Sequence, residues 1–322
     1  MVPVLSIVIP AYNEEGCLAE LLNRLKPVLE SLGAPYEIIF IDDGSRDRTY
    51  SLLCELAQKY PEIAAVRLSR NFGHQAALTA GLTLARGQAV ISMDADLQHP
   101  PELIPQMVDL WKQGNQVVAT IRTETRDADA SKKLTSTLFY KLINLLSPMP
   151  IIPGAADFRL LDRCAVDALN SMPEKTRFLR GLIPWIGFKQ TQIPFSAPER
   201  FAGKSQYSYR KMVSFALNGI LSLSAFPLRL ASIIGLGVLF IGVIYGIYVV
   251  WTALTNTHSQ PGWASVILVL LLLGGMQVFA IGIVGEYLAR VFDEVKARPL
   301  FLIAEIVKGN RDETDPPESQ NR

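Results

Sequence analysis

Two carboxylates one residue apart close an apolar run in Ala89-Val90-Ile91-Ser92-Met93-Asp94-Ala95-Asp96. The run has the composition of a buried strand, and the carboxylates would stand where it ends. There Asp94 and Asp96 offer hard oxygen ligands to a divalent cation and leave room for a diphosphate. An isolated Asp-x-Asp is most often a solvated turn. Here a second acidic cluster, Asp42-Asp43-Gly44-Ser45, also ends an apolar run, which strengthens the cation reading. A third carboxylate, Asp157, follows the small-residue turn Pro153-Gly154-Ala155-Ala156, where backbone can approach a ligand closely.

Elements must exist to bring these groups together. Val4–Pro10, Tyr36–Asp42, Ile63–Leu68, Ala89–Met93 and Gln116–Ile121 read as strands. Glu15–Leu32, Arg48–Tyr60, His74–Ala85 and, more weakly, Glu102–Lys112 place apolar residues at helical spacing. Alternation of apolar strands with helices predicts an α/β domain with a mainly parallel sheet covered on both faces. Ligands of such sheets bind beyond the carboxyl ends of the strands. Asn13-Glu14, Asp42-Asp43 and Asp94-Ala95-Asp96 all fall at that edge. The opening stretch is too short and lacks the basic residues of a signal peptide, so it reads as the first strand.

Composition narrows the function classes. A net charge of +1 over 322 residues excludes the basic excess of a nucleic-acid-binding protein. The hydrophobic fraction, 49%, is high for a soluble enzyme and is concentrated after Arg229. Cys17, Cys54 and Cys164 are isolated, suit a reducing compartment and are expected to be small buried fillers. His74, His99 and His258 are too scattered for a zinc site. The first loop lacks the Gly-x-Gly-x-x-Gly of a dinucleotide fold. Gly203-Lys204-Ser205 has Pro198 where a P-loop needs its first glycine, so that motif is rejected.

Leu230–Trp251 and Trp263–Val284 are uncharged apolar runs. As helices each would extend roughly 33 Å, enough to cross a bilayer core. Trp251 and Trp263 would anchor one interface, and the loop between them has no Lys or Arg. Arg210, Lys211 and Arg229 precede the first run, and Arg290, Lys296 and Arg298 follow the second. Positive charge on the outer flanks predicts both termini and the α/β domain on the cytoplasmic side. Two further segments, 132–152 and 206–229, carry apolar residues beside lysine or arginine. They read either as core helices or as helices lying in the membrane interface, the second reading being favoured for the segment that leads into the span. Glu286 and Arg290 are spaced for an i,i+4 ion pair. Polar residues after Lys308 suggest a disordered end.

Ile7-Val8-Ile9-Pro10-Ala11-Tyr12-Asn13-Glu14, Ile41-Asp42-Asp43-Gly44-Ser45 and Asp94-Ala95-Asp96-Leu97-Gln98-His99-Pro100 resemble the signature of family 2 glycosyltransferases of the GT-A fold. With Gly154-Ala155-Ala156-Asp157-Phe158-Arg159 and two carboxyl-terminal spans, the chain is similar to polyprenyl-phosphate glycosyltransferases of the dolichol-phosphate-mannose-synthase-like group, and within it to GtrB-type glucosyltransferases. The resemblance implies that Pro10, Tyr12, Glu14 and Asp43, with Asp42, Asp94, Ala95 and Asp96, bind a nucleotide-sugar. It implies Mg2+ or Mn2+ on Asp94 and Asp96, with Gln98 either a ligand or a loop cap. Arg122 would contact phosphate. Lys132, Lys133, Arg200, Lys204 and Ser205 are candidates for the donor diphosphate or the lipid phosphate, or else solvated charges. Asp157, named with Asp96 as catalytic, would act on the acceptor as base or orienter.

The expected architecture is a GT-A domain over 1–205 with an amphipathic segment at 132–152, a juxtamembrane helix at 206–229, two spans within 230–289 and a cytoplasmic tail at 290–322. The expected activity is inverting transfer of a sugar, by resemblance glucose from UDP-glucose, to a polyprenyl phosphate. Mannose and N-acetylglucosamine transfer are the nearer alternatives. A processive polysaccharide synthase is disfavoured because Thr176-Arg177-Phe178-Leu179-Arg180-Gly181 stands where its Gln-x-x-Arg-Trp belongs. A non-catalytic nucleotide-sugar-binding membrane protein is disfavoured by the intact Asp94, Asp96 and Asp157. Glycines Gly274, Gly275, Gly282 and Gly285 would permit close helix packing and a homo-oligomer.

Overall fold

The computed structural model describes residues 3–123, 154–175, 177–196, 226–255 and 262–309. They form two compact units. The first is an eight-stranded sheet in the order β7-β5-β6-β4-β1-β2-β3-β8. Its elements run β1 (Leu5–Ala11), α1 (Leu18–Ser31), β2 (Tyr36–Asp42), α2 (Thr49–Lys59), β3 (Ile63–Leu68), α3 (His74–Leu84), β4 (Ala89–Ser92), α4 (Ile104–Lys112), β5 (Val117–Arg122), β6 (Ala155–Asp162), α5 (Arg163–Ser171), α6 (Leu179–Trp185), β7 (Gln190–Phe195) and, after the second unit, β8 (Ile303–Lys308). The five strands and four helices expected between Val4 and Ile121 are present, within a few residues at their ends.

Every residue of β1 is buried, because helices cover both faces of the sheet. Successive side chains point to opposite faces. Leu5, Ile7 and Ile9 meet Leu21, Leu25 and Leu29 of α1 in one core. Val8, with Ile39 and Ile41, meets Ala77, Leu78 and Ala80 of α3 in the other. A strand buried on both sides must be apolar throughout, which is why the sequence shows runs rather than alternation.

Two strands run against the rest. β6 pairs antiparallel with both β4 and β5, Ser92 opposite Arg159 and Ile121 opposite Ala155. Its beginning therefore lies at the edge where β4 and β5 end. β8 pairs antiparallel with β3. The segment read as a cytoplasmic tail thus supplies the outermost strand of the sheet. That strand is almost wholly exposed, so it carries no buried apolar pattern by which to recognise it.

The amino ends of the central strands are locked by polar contacts. Ser6 Oγ donates to Glu37 Oε1 at 2.6 Å and accepts from Gly87 N at 2.7 Å. A Cβ on Gly87 would lie 2.6 Å from Ser6 N and 2.8 Å from the Leu5 carbonyl carbon, both fixed backbone. Gly87→Ala is expected to cost about 1–3 kcal/mol through overpacking. A lower melting temperature in detergent would show this, and an unchanged one would refute it.

The second unit contains α7 (Phe226–Thr255) and α8 (Trp263–Val295), which lie against each other as a hairpin. Both are long and apolar enough to cross a membrane, over Ala231–Tyr248 and Leu273–Val295, and none of the described residues in those stretches is buried within the chain. Phe240, Trp251 and Phe279 are each about two-thirds exposed. The expected Glu286–Arg290 ion pair is present at 3.4 Å.

Candidate active site

Two loops at the carboxyl edge are stitched into one wall. Ala11 and Asp42, the last residues of β1 and β2, are register partners. Beyond them Asn13 N donates to Ser45 Oγ at 3.0 Å, Arg46 N donates to Asn13 Oδ1 at 2.9 Å, and Glu14 N donates to Thr49 Oγ1 at 2.8 Å. Asn13 adopts a left-handed φ of 57° and Gly44 one of 70°. Gly44 is required on steric grounds too, since a Cβ there would sit 2.7 Å from the backbone of Arg70 and Asn71. Pro10 is buried, Glu14 is half-buried and Tyr12 is 39% exposed on the rim.

The paired acids of this wall hold the fold around the site. Asp42 accepts from Ser45 N and lies 3.6 Å from Arg67 Nε. Asp43 accepts from Phe72 N at 2.7 Å and from Gly73 N at 2.9 Å. Its carboxylate therefore satisfies backbone donors just ahead of α3. Burial raises both carboxyls above the ordinary range, outweighing these hydrogen bonds. Fixing the start of α3 fixes His74, its first residue.

The Asp94–Asp96 loop is held by its own side chains. Gln98 N donates to Asp96 Oδ1 at 3.1 Å, and Asp94 N donates to His99 Nδ1 at 2.9 Å. His99 is buried and stacks on Phe158 with centroids 5.3 Å apart. Burial lowers its pKa despite the nearby Asp94, Asp96 and Asp157, so it serves as a neutral acceptor at Nδ1. Leu97 is buried with a left-handed φ of 64°, a conformation that costs a non-glycine residue and persists only where its surroundings enforce it. The Asp94 side chain remains one-third exposed.

Asp157 sits at the start of β6 among cations. Arg180 binds it with two parallel hydrogen bonds, Nε to Oδ1 at 3.0 Å and Nη2 to Oδ2 at 2.8 Å. Arg159 Nη2 donates to Oδ1 at 3.0 Å. His74 Nε2 lies 3.4 Å from Asp157 Oδ2 and 3.5 Å from Asp94 Oδ1, bridging the two carboxylates. Burial by itself would raise the Asp157 carboxyl, but the His74 hydrogen bond and the charges of Arg180 and Arg159 hold it well below the usual range. His74 is moved the other way: burial lowers it, and the two carboxylates raise it further. A carboxylate so compensated is a weak proton acceptor near neutral pH.

Pro10, Tyr12, Glu14, Asp42, Asp43, Asp94, Ala95, Asp96, Gln98, Arg122 and Asp157 all lie at the carboxyl edge of the sheet. Arg122 ends β5 exposed, its N–H donating to Gly154 O at 2.9 Å. Lys132, Lys133, Arg200, Lys204 and Ser205 lie outside the described residues, as do segment 132–152 and residues 206–225. Among the described residues, no three His, Cys, Asp or Glu side chains form a metal cage by themselves. The three cysteines are free thiols, Cys17 buried and Cys54 and Cys164 only half-buried. Burial and Glu14 push the Cys17 thiol up to about 11, which leaves it inert.

Sequence reading passed over His74 and Arg180. His74 was within reach, because it follows β3 at the same edge as the acids. Arg180 was not, because short helix α6 follows a stretch without strong periodicity.

Residues 6–169 match glycosyl transferase family 2, and residues 226–291 match the GtrB C-terminal hairpin. An uncharacterized glycosyltransferase of Synechocystis sp. is 43% identical, covering 94% of this chain and 95% of its own. The bactoprenol glucosyl transferase of Shigella phage SfII is 37% identical, covering 95% and 99%. Among solved structures, mannosyl-3-phosphoglycerate synthase from Rubrobacter xylanophilus shares the fold, with a TM-score of 0.51 and 19% identity over 70% of this chain and 74% of that one.

Proposed function

Because the chain belongs to glycosyl transferase family 2, we propose that it transfers glucose from UDP-glucose to a polyprenyl phosphate, inverting the anomeric carbon, at the cytoplasmic face of a bacterial inner membrane. That it is a glycosyltransferase follows from the family. The lipid acceptor and the sugar are supported by the nearly full-length similarity to bactoprenol glucosyl transferases and by the carboxyl-terminal hairpin. The observation that carries the chemistry is the unbroken series Asp94, His74, Asp157, Arg180 at one sheet edge.

A divalent cation fits this site. Asp94 and Asp96 supply hard oxygens on a fixed loop, and the one-third exposure of Asp94 leaves access from solvent. Two carboxylates with no His, Cys, Asp or Glu completing a cage among the described residues suit Mg2+ or Mn2+, which commonly complete their shell with water and substrate phosphates. When bound, the ion would supply Lewis-acid stabilisation of the leaving diphosphate. Pro10, Tyr12, Glu14 and the Asp42–Asp43 loop would hold the nucleoside on the neighbouring wall, with Arg122 toward phosphate.

The acceptor is a phosphate monoester whose second pKa is about 6, so it reaches the site largely as a dianion. No proton then remains on the attacking oxygen. Asp157, held anionic by two guanidinium groups, orients rather than accepts a proton. Lys132, Lys133, Arg200, Lys204 and Ser205 are proposed to meet phosphate from the segments near the membrane.

The test is purified protein with a short-chain polyprenyl phosphate and a panel of radiolabelled nucleotide-sugars. Label should move from UDP-glucose to the lipid phosphate. Transfer of mannose or N-acetylglucosamine instead would revise the donor, and transfer only to a growing polysaccharide would sink the acceptor.

The same reading makes α7 and α8 spans that meet outside the cell. A cysteine placed in loop 256–261 should react with an impermeant maleimide in intact cells, and one at the amino terminus should not. The opposite labelling would refute the orientation. A homo-oligomer is proposed on the exposed small-residue positions of α8, and a monodisperse monomer in mild detergent would contradict it.

A further inference from the structure

We propose that Arg67 is a positioning residue for the nucleotide-sugar: with Glu305 of β8 it braces the buried Asp42 carboxylate, which fixes both loops of the nucleoside wall. The inference rests on the donor binding proposed above and deepens it by naming what holds that wall in place.

Register puts three charges in one row across the sheet. Asp42 of β2 is the partner of Arg67 of β3, and Arg67 is the partner of Glu305 of β8. Residues directly opposite one another project from the same face, and opposite charges so placed attract. Arg67 Nε lies 3.6 Å from Asp42 Oδ2, and its guanidinium covers the Tyr50 ring of α2 at 4.6 Å. Glu305 and Cys54 lie beside the Tyr50 hydroxyl: burial raises that phenol, and both neighbours raise it further. A bulge falls at this point, because Arg67 faces Glu305 while the next residue, Leu68, faces Ile303. Bulges of this kind re-aim a side chain beside a site.

Asp42 itself is not presented to solvent. Its side chain is 0% exposed, whereas that of Arg67 is 42% exposed. What Asp42 does is hold Ser45, whose N–H donates to both carboxylate oxygens at 3.2 and 3.3 Å. Ser45 Oγ in turn accepts from Asn13 N at 3.0 Å. One carboxylate thus sets the loop after β2 and, through Ser45, the loop after β1 that carries Tyr12 and Glu14. Burial pushes the Asp42 carboxyl up, and Ser45 and the Arg67 charge act against that rise. A neutral carboxyl accepts more weakly than a carboxylate, so loss of Arg67 should loosen Ser45. The segment leading into β8 adds a second brace, Leu302 O accepting from Ser69 N at 2.8 Å. Arg70 and Asn71, next in the chain, are the backbone against which Gly44 packs.

The experiment is calorimetric titration of UDP and of GDP, each with Mn2+, into the full-length protein in detergent. It compares wild type, Arg67→Lys, Arg67→Gln and Glu305→Gln. For the nucleotide that wild type binds, Arg67→Gln should raise Kd about 5- to 20-fold, and Arg67→Lys and Glu305→Gln less, the range of coupling within one contact network. Acceptor KM, and kcat at saturating donor, should stay within about threefold. Asp42→Asn combined with Arg67→Gln should bind no worse than Asp42→Asn alone, because Arg67 acts through Asp42. A Kd in Arg67→Gln within about twofold of wild type would overturn the proposal, with or without a lower melting temperature. Additive losses in the folded double variant would overturn it too. Should Asp42→Asn fail to fold, the variants of the half-exposed Arg67 decide alone. If wild type binds neither nucleotide, the nucleoside wall is misassigned and the proposal falls with it, whereas equal binding by wild type and Arg67→Gln defeats the brace alone.

Discussion

Asp94→Asn and Asp96→Asn should each reduce kcat about 10³-fold or more while leaving membrane insertion and the thermal melt nearly unchanged. A thousandfold corresponds to about 4 kcal/mol of transition-state stabilisation, which is the scale expected when a ligand charge is lost opposite a developing diphosphate. Stability should be spared because neither carboxylate is deeply buried, and the loop keeps the His99 and Phe158 contacts that anchor it. Chelation of wild-type enzyme should give a comparable loss, restored by Mg2+ or Mn2+. Near-normal turnover in both variants, or in chelated enzyme, would end the cation assignment.

Asp157→Asn should show the other large effect, divided between stability and turnover. Asp157 and Arg159 are buried together, and Arg159 Nε already lacks a hydrogen-bond partner. Removing the negative charge leaves a buried cation uncompensated, at a cost of about 3–5 kcal/mol. A carboxyl whose folded pKa is depressed contributes stability that is complete above its unfolded value, about 3.9. That contribution fades as pH falls toward the folded value. The stability gap between wild type and Asp157→Asn should therefore be full at pH 7 and narrow below about pH 4. Turnover should fall about 10²-fold, the scale of a misplaced reacting group. Donor affinity should stay within a few-fold. Raising the pH should not restore the rate, because orientation rather than proton removal has been lost. Recovery at high pH would return Asp157 to the role of base. Loss of donor binding in the folded variant would move it into the nucleotide-sugar site.

The site was legible in proportion to how local its signals are. Asp94 and Asp96 end an apolar run, so their place at the carboxyl edge follows from strand direction alone. Asp42 and Asp43 share that logic, but their type did not reveal that Asp43 would be occupied by the Phe72 and Gly73 amides. The small-residue turn before Asp157 was visible, and its neighbours were not. Arg180 reaches it from a short helix, and His74 from the far side of β4.

By itself the sequence determined which segments are strands and helices, that the sheet is covered on both faces, where Asp94 and Asp96 stand, and that two segments are fit to cross a bilayer. These follow from composition and periodicity over short stretches, because burial on one or both faces leaves a repeating mark on the residues buried. Tertiary structure alone decided that β6 runs against its neighbours, that β8 closes the sheet from the other end of the chain, and that His74 joins Asp94 to Asp157. Those outcomes depend on contacts such as Ser92 Oγ with the Asp157 carbonyl, 65 residues apart at 2.6 Å. Pairing energies of that kind are set by which surfaces remain free once the local elements have formed, and no short window of sequence contains them.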